Sequence, residues 1–211
     1  MNSNLQPDAE SFRANGLQGL LAGPVPVVLA MLGWGAFAIR IPPVSDHAYQ
    51  FHLARRVLDG AQLYVDVAAS DMHPPLFTWL AMLLESIGRS IGTSGLGLYP
   101  YFIVGLAAAV VALVWKVSTR SPLVLAGVML AALPLSGAFF GQGEHIAVLC
   151  ALPYLCAAAR EPGTVNRGLR VAIAVLAGFG LAMKPHFALV WVLAEGYRAW
   201  RFGLPSLLRL E

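Results

Sequence analysis

Apolar runs of 14 to 23 residues recur along this chain, the later ones short or closely spaced, and they decide what it can fold into. The first extends from about Leu17 to Ile39. Later runs cover about Leu98 to Val117, Pro122 to Phe140, Ile146 to Ala159, Leu169 to Met183 and Phe187 to Trp200. A hydrocarbon core of roughly 30 Å takes about 20 helical residues to cross. The expected fold is therefore all-α, a polytopic membrane protein with about six or seven transmembrane helices, read as a single transmembrane domain over 1–211 with a polar tail at 1–16. Small residues are frequent in the runs, as in "VGLAAAVVALV" and "AVLAGFGLAM". They suit close helix contact in lipid, where apolar burial gives no preference for a protein neighbour.

Composition agrees. The chain is 58% hydrophobic and 12% charged, with a mean hydropathy of +0.68, too apolar for an ordinary soluble domain. Its net charge of +3 reports topology, and no nucleic-acid partner is expected. Cys150 and Cys156 share one apolar segment and read as packing residues, not as a disulfide framework. The "AFA" at Ala36 to Ala38 fits a small-x-small cleavage site. However, the apolar part is long for a signal peptide, only Arg13 precedes it as a basic residue, and further spans follow.

Between the first two clear runs lies "HPPLFTWLAMLLESIGRSIG", whose apolar part is short and carries Glu85 and then Arg89. Opened by Pro74 and Pro75, where missing N–H groups cost little, it reads as a helix that either crosses or lies along the surface. If every run crosses, the loop after Ile39 shares a face with the basic clusters at Lys116, Arg160, Arg167 and Arg198, and the positive-inside rule makes that face cytoplasmic. If the Pro-Pro helix does not cross, the first loop joins "GQGEH" and "KPHF" on the non-cytoplasmic face. We adopt the second arrangement, because it gathers the polar constellations on one side as a single active site requires.

Three constellations carry the candidate chemistry. The first external loop, 40–73, contains an amphipathic juxtamembrane helix from Asp46 to Asp59 ended by Gly60, then an extended stretch to Asp71 and His73. Asp46 also stands where a helix cap belongs, and Arg55 and Arg56 suit lipid head groups. The second is Glu144 and His145, in a short break at or near membrane depth, where ionisable residues are costly and point to function. The glycines at 141 and 143 fit a turn, which leaves the adjacent Glu and His unexplained. The third is Lys184 and His186 around Pro185, where a snorkelling lysine is the plain alternative. Phosphate-binding glycine loops, G-x-S-x-G, H-E-x-x-H and paired C-x-x-C motifs are absent.

Asp46, Tyr49, Gly60, Tyr64, Asp66, Asp71, Pro74, Pro75 and Trp79 together resemble the first external loop of the integral-membrane glycosyltransferases of the C superfamily, such as protein O-mannosyltransferases and bacterial aminoarabinose and lipopolysaccharide-sugar transferases. The resemblance covers about Ile41 to Trp79 and is only topological beyond. His47 stands where many members have Glu, and His73 where they commonly have Lys; a protonated His73 can serve.

The resemblance implies inverting transfer of a sugar from a polyprenyl-phosphate carrier to an acceptor on the non-cytoplasmic side, in a bacterial inner membrane. It implies Asp46, Asp71 and Glu144 as catalytic residues, with Asp46 the base, and Lys184, His73 and Arg55 on the donor phosphate. Tyr49, His52, Tyr64 and His186 would line the substrate, with a possible divalent metal at Glu144 and His145. Family members are usually longer. The chain therefore reads as an N-terminal module or as a reduced member needing a partner subunit that supplies further spans. A non-enzymatic transporter subunit or lipid-carrier-binding protein is the alternative, with Glu144, His145, Lys184 and His186 as a proton or anion pathway.

Overall fold

The structure, a computed structural model, describes residues 25–40, 45–67, 75–118, 122–133, 137 and 139–206. The described residues form eight α-helices: α1 (Val25–Ala38), α2 (Ser45–Leu58), α3 (Pro75–Ser90), α4 (Gly95–Val117), α5 (Pro122–Ala132), α6 (Gly143–Ala158), α7 (Arg167–Met183) and α8 (Ala188–Phe202). Among them no strand occurs, only an isolated bridge between Leu63 and Val67. The all-α expectation holds.

One helix, α4, is long and apolar enough to cross a membrane; α6 is apolar but shorter. The run expected from Pro122 to Phe140 ends as a helix at Ala132, two residues before Pro134, which cannot continue it. Large apolar side chains face outward on several helices, including Leu29, Trp79, Leu83, Tyr101, Val175 and Trp200. Apolar surface this extensive marks a face made for a membrane or a protein partner.

Helix directions follow from the contacts. α2 and α3 run parallel, since Gln50 meets Thr78, Arg55 meets Glu85 and Asp59 meets Arg89. α4 starts beside Glu85 and runs back against both, carrying Tyr99 past His47, Phe51 and Phe77. From there α4, α5, α6, α7 and α8 alternate in direction. Ala132 at the end of α5 meets His145 in α6, the end of α7 meets the start of α6 through Lys184 and Glu144, and Tyr154 of α6 meets Glu195 of α8.

The core is a cluster centred on Tyr99, Ile103, Val110 and Val114 of α4 with Phe51, Leu125, Ile146 and Leu149 around them. α6 and α7 approach most closely at Gly180, where a Cβ would lie 2.6 Å from Cys150 Cβ and 3.1 Å from the Ala147 carbonyl oxygen. That closeness gives the pair its dispersion energy and fixes the spacing between the two helix ends that build the site.

Candidate active site

Three helix ends and one helix terminus converge on an open recess of about 490 Å³. Asp46, Tyr49 and Gln50 come from the first turns of α2 and Phe77 from the start of α3. Gln142, Gly143 and Glu144 come from the start of α6, and Met183 and Lys184 from the end of α7. The N-termini of α2, α3 and α6 therefore surround one space, and their unsatisfied N–H groups and dipoles favour negative charge there.

Each wall is held by identifiable bonds. Gln50 is buried, and its Oε1 accepts from Thr78 Oγ1 at 2.8 Å, which locks the start of α2 to the start of α3. Gly141 has a φ of +79°, the left-handed region that favours glycine. Both its backbone groups are engaged: the carbonyl accepts from the Tyr99 hydroxyl, and the N–H donates to His145 Nδ1 at 2.9 Å. With Nδ1 accepting, the proton sits on Nε2, which donates to the Ala132 carbonyl at 2.7 Å. His145 thus ties the entry of α6 to the end of α5.

Lys184 follows the last turn of α7, and its Nζ lies 2.6 Å from Glu144 Oε1. The lysine is the more enclosed partner, with its side chain 18% exposed against 42% for the glutamate. Its stem passes over Gly143, where a Cβ would stand 2.9 Å from Lys184 Cε. His47, one residue past Asp46, is buried under Tyr99 and Phe77. Burial pushes its imidazole below the ordinary value of 6.5, against the opposing pull of the Gly141 carbonyl and the Asp46 carboxylate.

The residues expected from sequence divide clearly. Asp46, Tyr49, Glu144 and Lys184 meet in the recess. His186 sits in the short turn Pro185–Phe187, exposed and against Phe187, near enough to Glu144 to act on it electrostatically. His52 and Tyr64 do not line the recess; Tyr64 lies in the turn after α2 with a φ of +66°. Asp71 and His73 lie outside the described residues.

Two expected roles need correcting. Arg55 is two and a half turns along α2 from Asp46 and donates to Glu85 at 3.0 Å, so it braces α2 against α3 and not a phosphate at this recess. His145 has both ring nitrogens bonded to backbone, which leaves neither for a metal. Among the described residues no group of three or more His, Cys, Asp or Glu is placed to hold a metal ion. Positive charge at the recess comes from Lys184.

Sequence reasoning missed Gln50, Thr78 and Tyr99, because an isolated polar side chain in an apolar stretch carries no spacing pattern. Glu85 showed itself only as a charge in a short apolar run. Comparisons with family models, with curated proteins and with solved structures found no match.

Proposed function

We propose that the chain is a membrane glycosyltransferase, or the N-terminal module of one, that takes a sugar from a polyprenyl-phosphate donor and passes it to an acceptor on the non-cytoplasmic face. The observation that carries this reading is the meeting of Asp46, Glu144 and Lys184, distant in sequence, in one recess ringed by helix N-termini. A carboxylate beside a site that favours phosphate is what transfer from a lipid phosphate needs. Asp46 takes the proton from the acceptor hydroxyl as its oxygen bonds to the anomeric carbon. The bond from that carbon to the phosphate oxygen breaks, the configuration inverts, and the polyprenyl phosphate leaves with its new charge facing Lys184 and the helix N-termini. Glu144 holds Lys184 over the recess until the phosphate takes its place.

Topology supports the same reading. Lys116, Arg160, Arg167, Arg170, Arg198 and Arg201 fall at the far ends of α4, α6, α7 and α8, where Glu161 and Glu195 are the described carboxylates. By the positive-inside rule that end is cytoplasmic and the recess faces out. The chain reaches the recess level after α1, again at α6, and again after α7. An even number of the four helices between Ala38 and Gly143 must then cross; in this reading α4 and α5 are the pair, and α2 stays at the surface together with α3, which is about 24 Å long at 16 residues. Its outward row of Trp79, Leu83 and Ile87 suits the lipid surface. In this reading the protein is polytopic, in a bacterial inner membrane, and a partner subunit could supply further spans.

The test is sugar transfer from a panel of polyprenyl-phosphate sugars by membranes containing the parent, Asp46→Asn or Lys184→Met, with and without a divalent metal. Loss of about 10²–10⁴-fold in Asp46→Asn is expected of a general base. Saturable donor binding with no turnover in the parent would favour the lipid-carrier-binding alternative. Turnover that survives Asp46→Asn intact would refute the assigned base.

A further inference from the structure

The far end of the α6/α7 pair, about 20 Å along the helix axes from the Asp46 recess, holds a second recess of about 650 Å³. Arg160 enters its wall from the turn after α6, Arg170 from the first turns of α7 and Arg198 from the last turns of α8. Glu161 is the carboxylate in that wall. Glu195 stands beside Arg198, its Oε1 accepting from Arg198 Nη1 at 3.3 Å and from the Tyr154 hydroxyl. Three guanidiniums against these two carboxylates leave the recess positive. Arg198 is only 21% exposed in its side chain, so its charge is screened less than that of a surface arginine.

Most of the remaining lining is apolar, with Ala157, Ala158, Ile173 and Ala174 beside the arginines and Tyr154 as the polar exception. The start of α7, capped by the Asn166 side chain, turns its dipole toward the same end. Guanidinium forks match phosphate oxygens in pairs. An apolar floor next to them suits a phosphate that carries hydrocarbon, at the membrane face where the other basic residues collect.

We propose that this recess binds a phosphate-bearing anion, with an anionic phospholipid headgroup as the source that the apolar floor favours. Arg160 and Arg170 grip the phosphate oxygens, and Arg198, oriented by Glu195, closes the third side. The site is separate from the Asp46 recess, so its test does not depend on sugar transfer.

The experiment follows the melting temperature of the purified full chain in neutral detergent as phosphatidylglycerol, phosphatidylcholine or inorganic phosphate is titrated. Phosphatidylglycerol should raise it and phosphatidylcholine should not. Arg160→Gln and Arg170→Gln should each weaken the apparent affinity roughly fivefold. Arg167→Gln, on the same face but outside the recess lining, should leave it unchanged. Arg170→Lys keeps the charge without the fork and should fall between, which preserves a readout if the glutamine variants fold poorly. The same arginine-dependent shift with inorganic phosphate alone would keep the anion site and make free phosphate its source. Equal weakening by Arg167→Gln, or undiminished affinity in a folded Arg160→Gln/Arg170→Gln double variant, would overturn the proposal in favour of diffuse surface charge.

Discussion

Replacing Glu85 with glutamine keeps the side-chain volume and removes one buried charge, and the structure sets what that should cost. The Glu85 side chain is 6% exposed. Its Oε1 accepts from Arg55 at 3.0 Å and lies 3.7 Å from Arg89 Nε, while Oε2 accepts from the Gly95 N–H at 2.9 Å. A glutamine has one oxygen for these donors, and its NH₂ group must face another donor. Hydrogen bonds to a charged group contribute about 1.5–3 kcal/mol, and a buried donor left without a partner costs about 1–3 kcal/mol. Arg55 and Arg89 are each 44% exposed and can rehydrate, so the larger penalty for a stranded buried charge does not apply. The expected loss is about 3 kcal/mol, measured by reversible unfolding in mixed micelles. A double-mutant cycle with Arg55→Met should return a coupling of about 1 kcal/mol or more. A loss below about 0.5 kcal/mol for Glu85→Gln would refute the view that this carboxylate holds α2, α3 and α4 together.

Other consequences can be read by simpler means. Gly180→Val should destabilise by about 1–3 kcal/mol, because its side chain meets Cys150 and Ala147 across the α6/α7 contact; thermal unfolding checks this. Gly143→Ala should displace the Lys184 stem and weaken donor binding several-fold while the melting temperature stays close to that of the parent. His47 sits below its ordinary pKa of 6.5 through burial, so the unfolded chain binds the proton more readily than the folded one. Stability should therefore be complete above about pH 6.5 and decline as the pH falls toward the folded value. A pH series in which His47→Gln removes that decline would bear this out. Single cysteines at 142 and 163, placed in a background without Cys150 and Cys156, should label from opposite faces of a sealed vesicle; labelling from one face would undo the proposed orientation.

The helical architecture was legible because apolar runs and capping residues are local signals. The amphipathic helix read over Asp46–Asp59 is found over Ser45–Leu58, and the run read from Leu169 starts as a helix two residues earlier, at Arg167, because the unread Asn166 caps it by accepting from the Gly168 N–H. Glu144 and Lys184 stood out as charges in tight breaks between apolar runs, and Asp46 as part of the polar cluster that follows the first run. What could not be read was partnership. Nothing near Glu85 in sequence announces Arg55, and nothing near His145 says that its ring will be consumed by Gly141 and Ala132. Glu144 looked like part of a loop, whereas it occupies the first turn of α6, because helix starts in apolar chains are marked weakly when the cap position, here Gln142, makes no side-chain bond.

The placing of Asp46 and Lys184 on opposite walls of one recess also has a temporal side. About 140 residues separate them in the chain, which a ribosome adding 5–20 residues per second takes about 7–28 s to make. During that interval α2 and α3 can already have paired through Gln50 and Thr78, yet the lysine that completes the recess has not been synthesised. A nascent chain released before Lys184 would carry the carboxylate without its counter-charge, so the recess is complete only after α6 and α7 have closed as a hairpin.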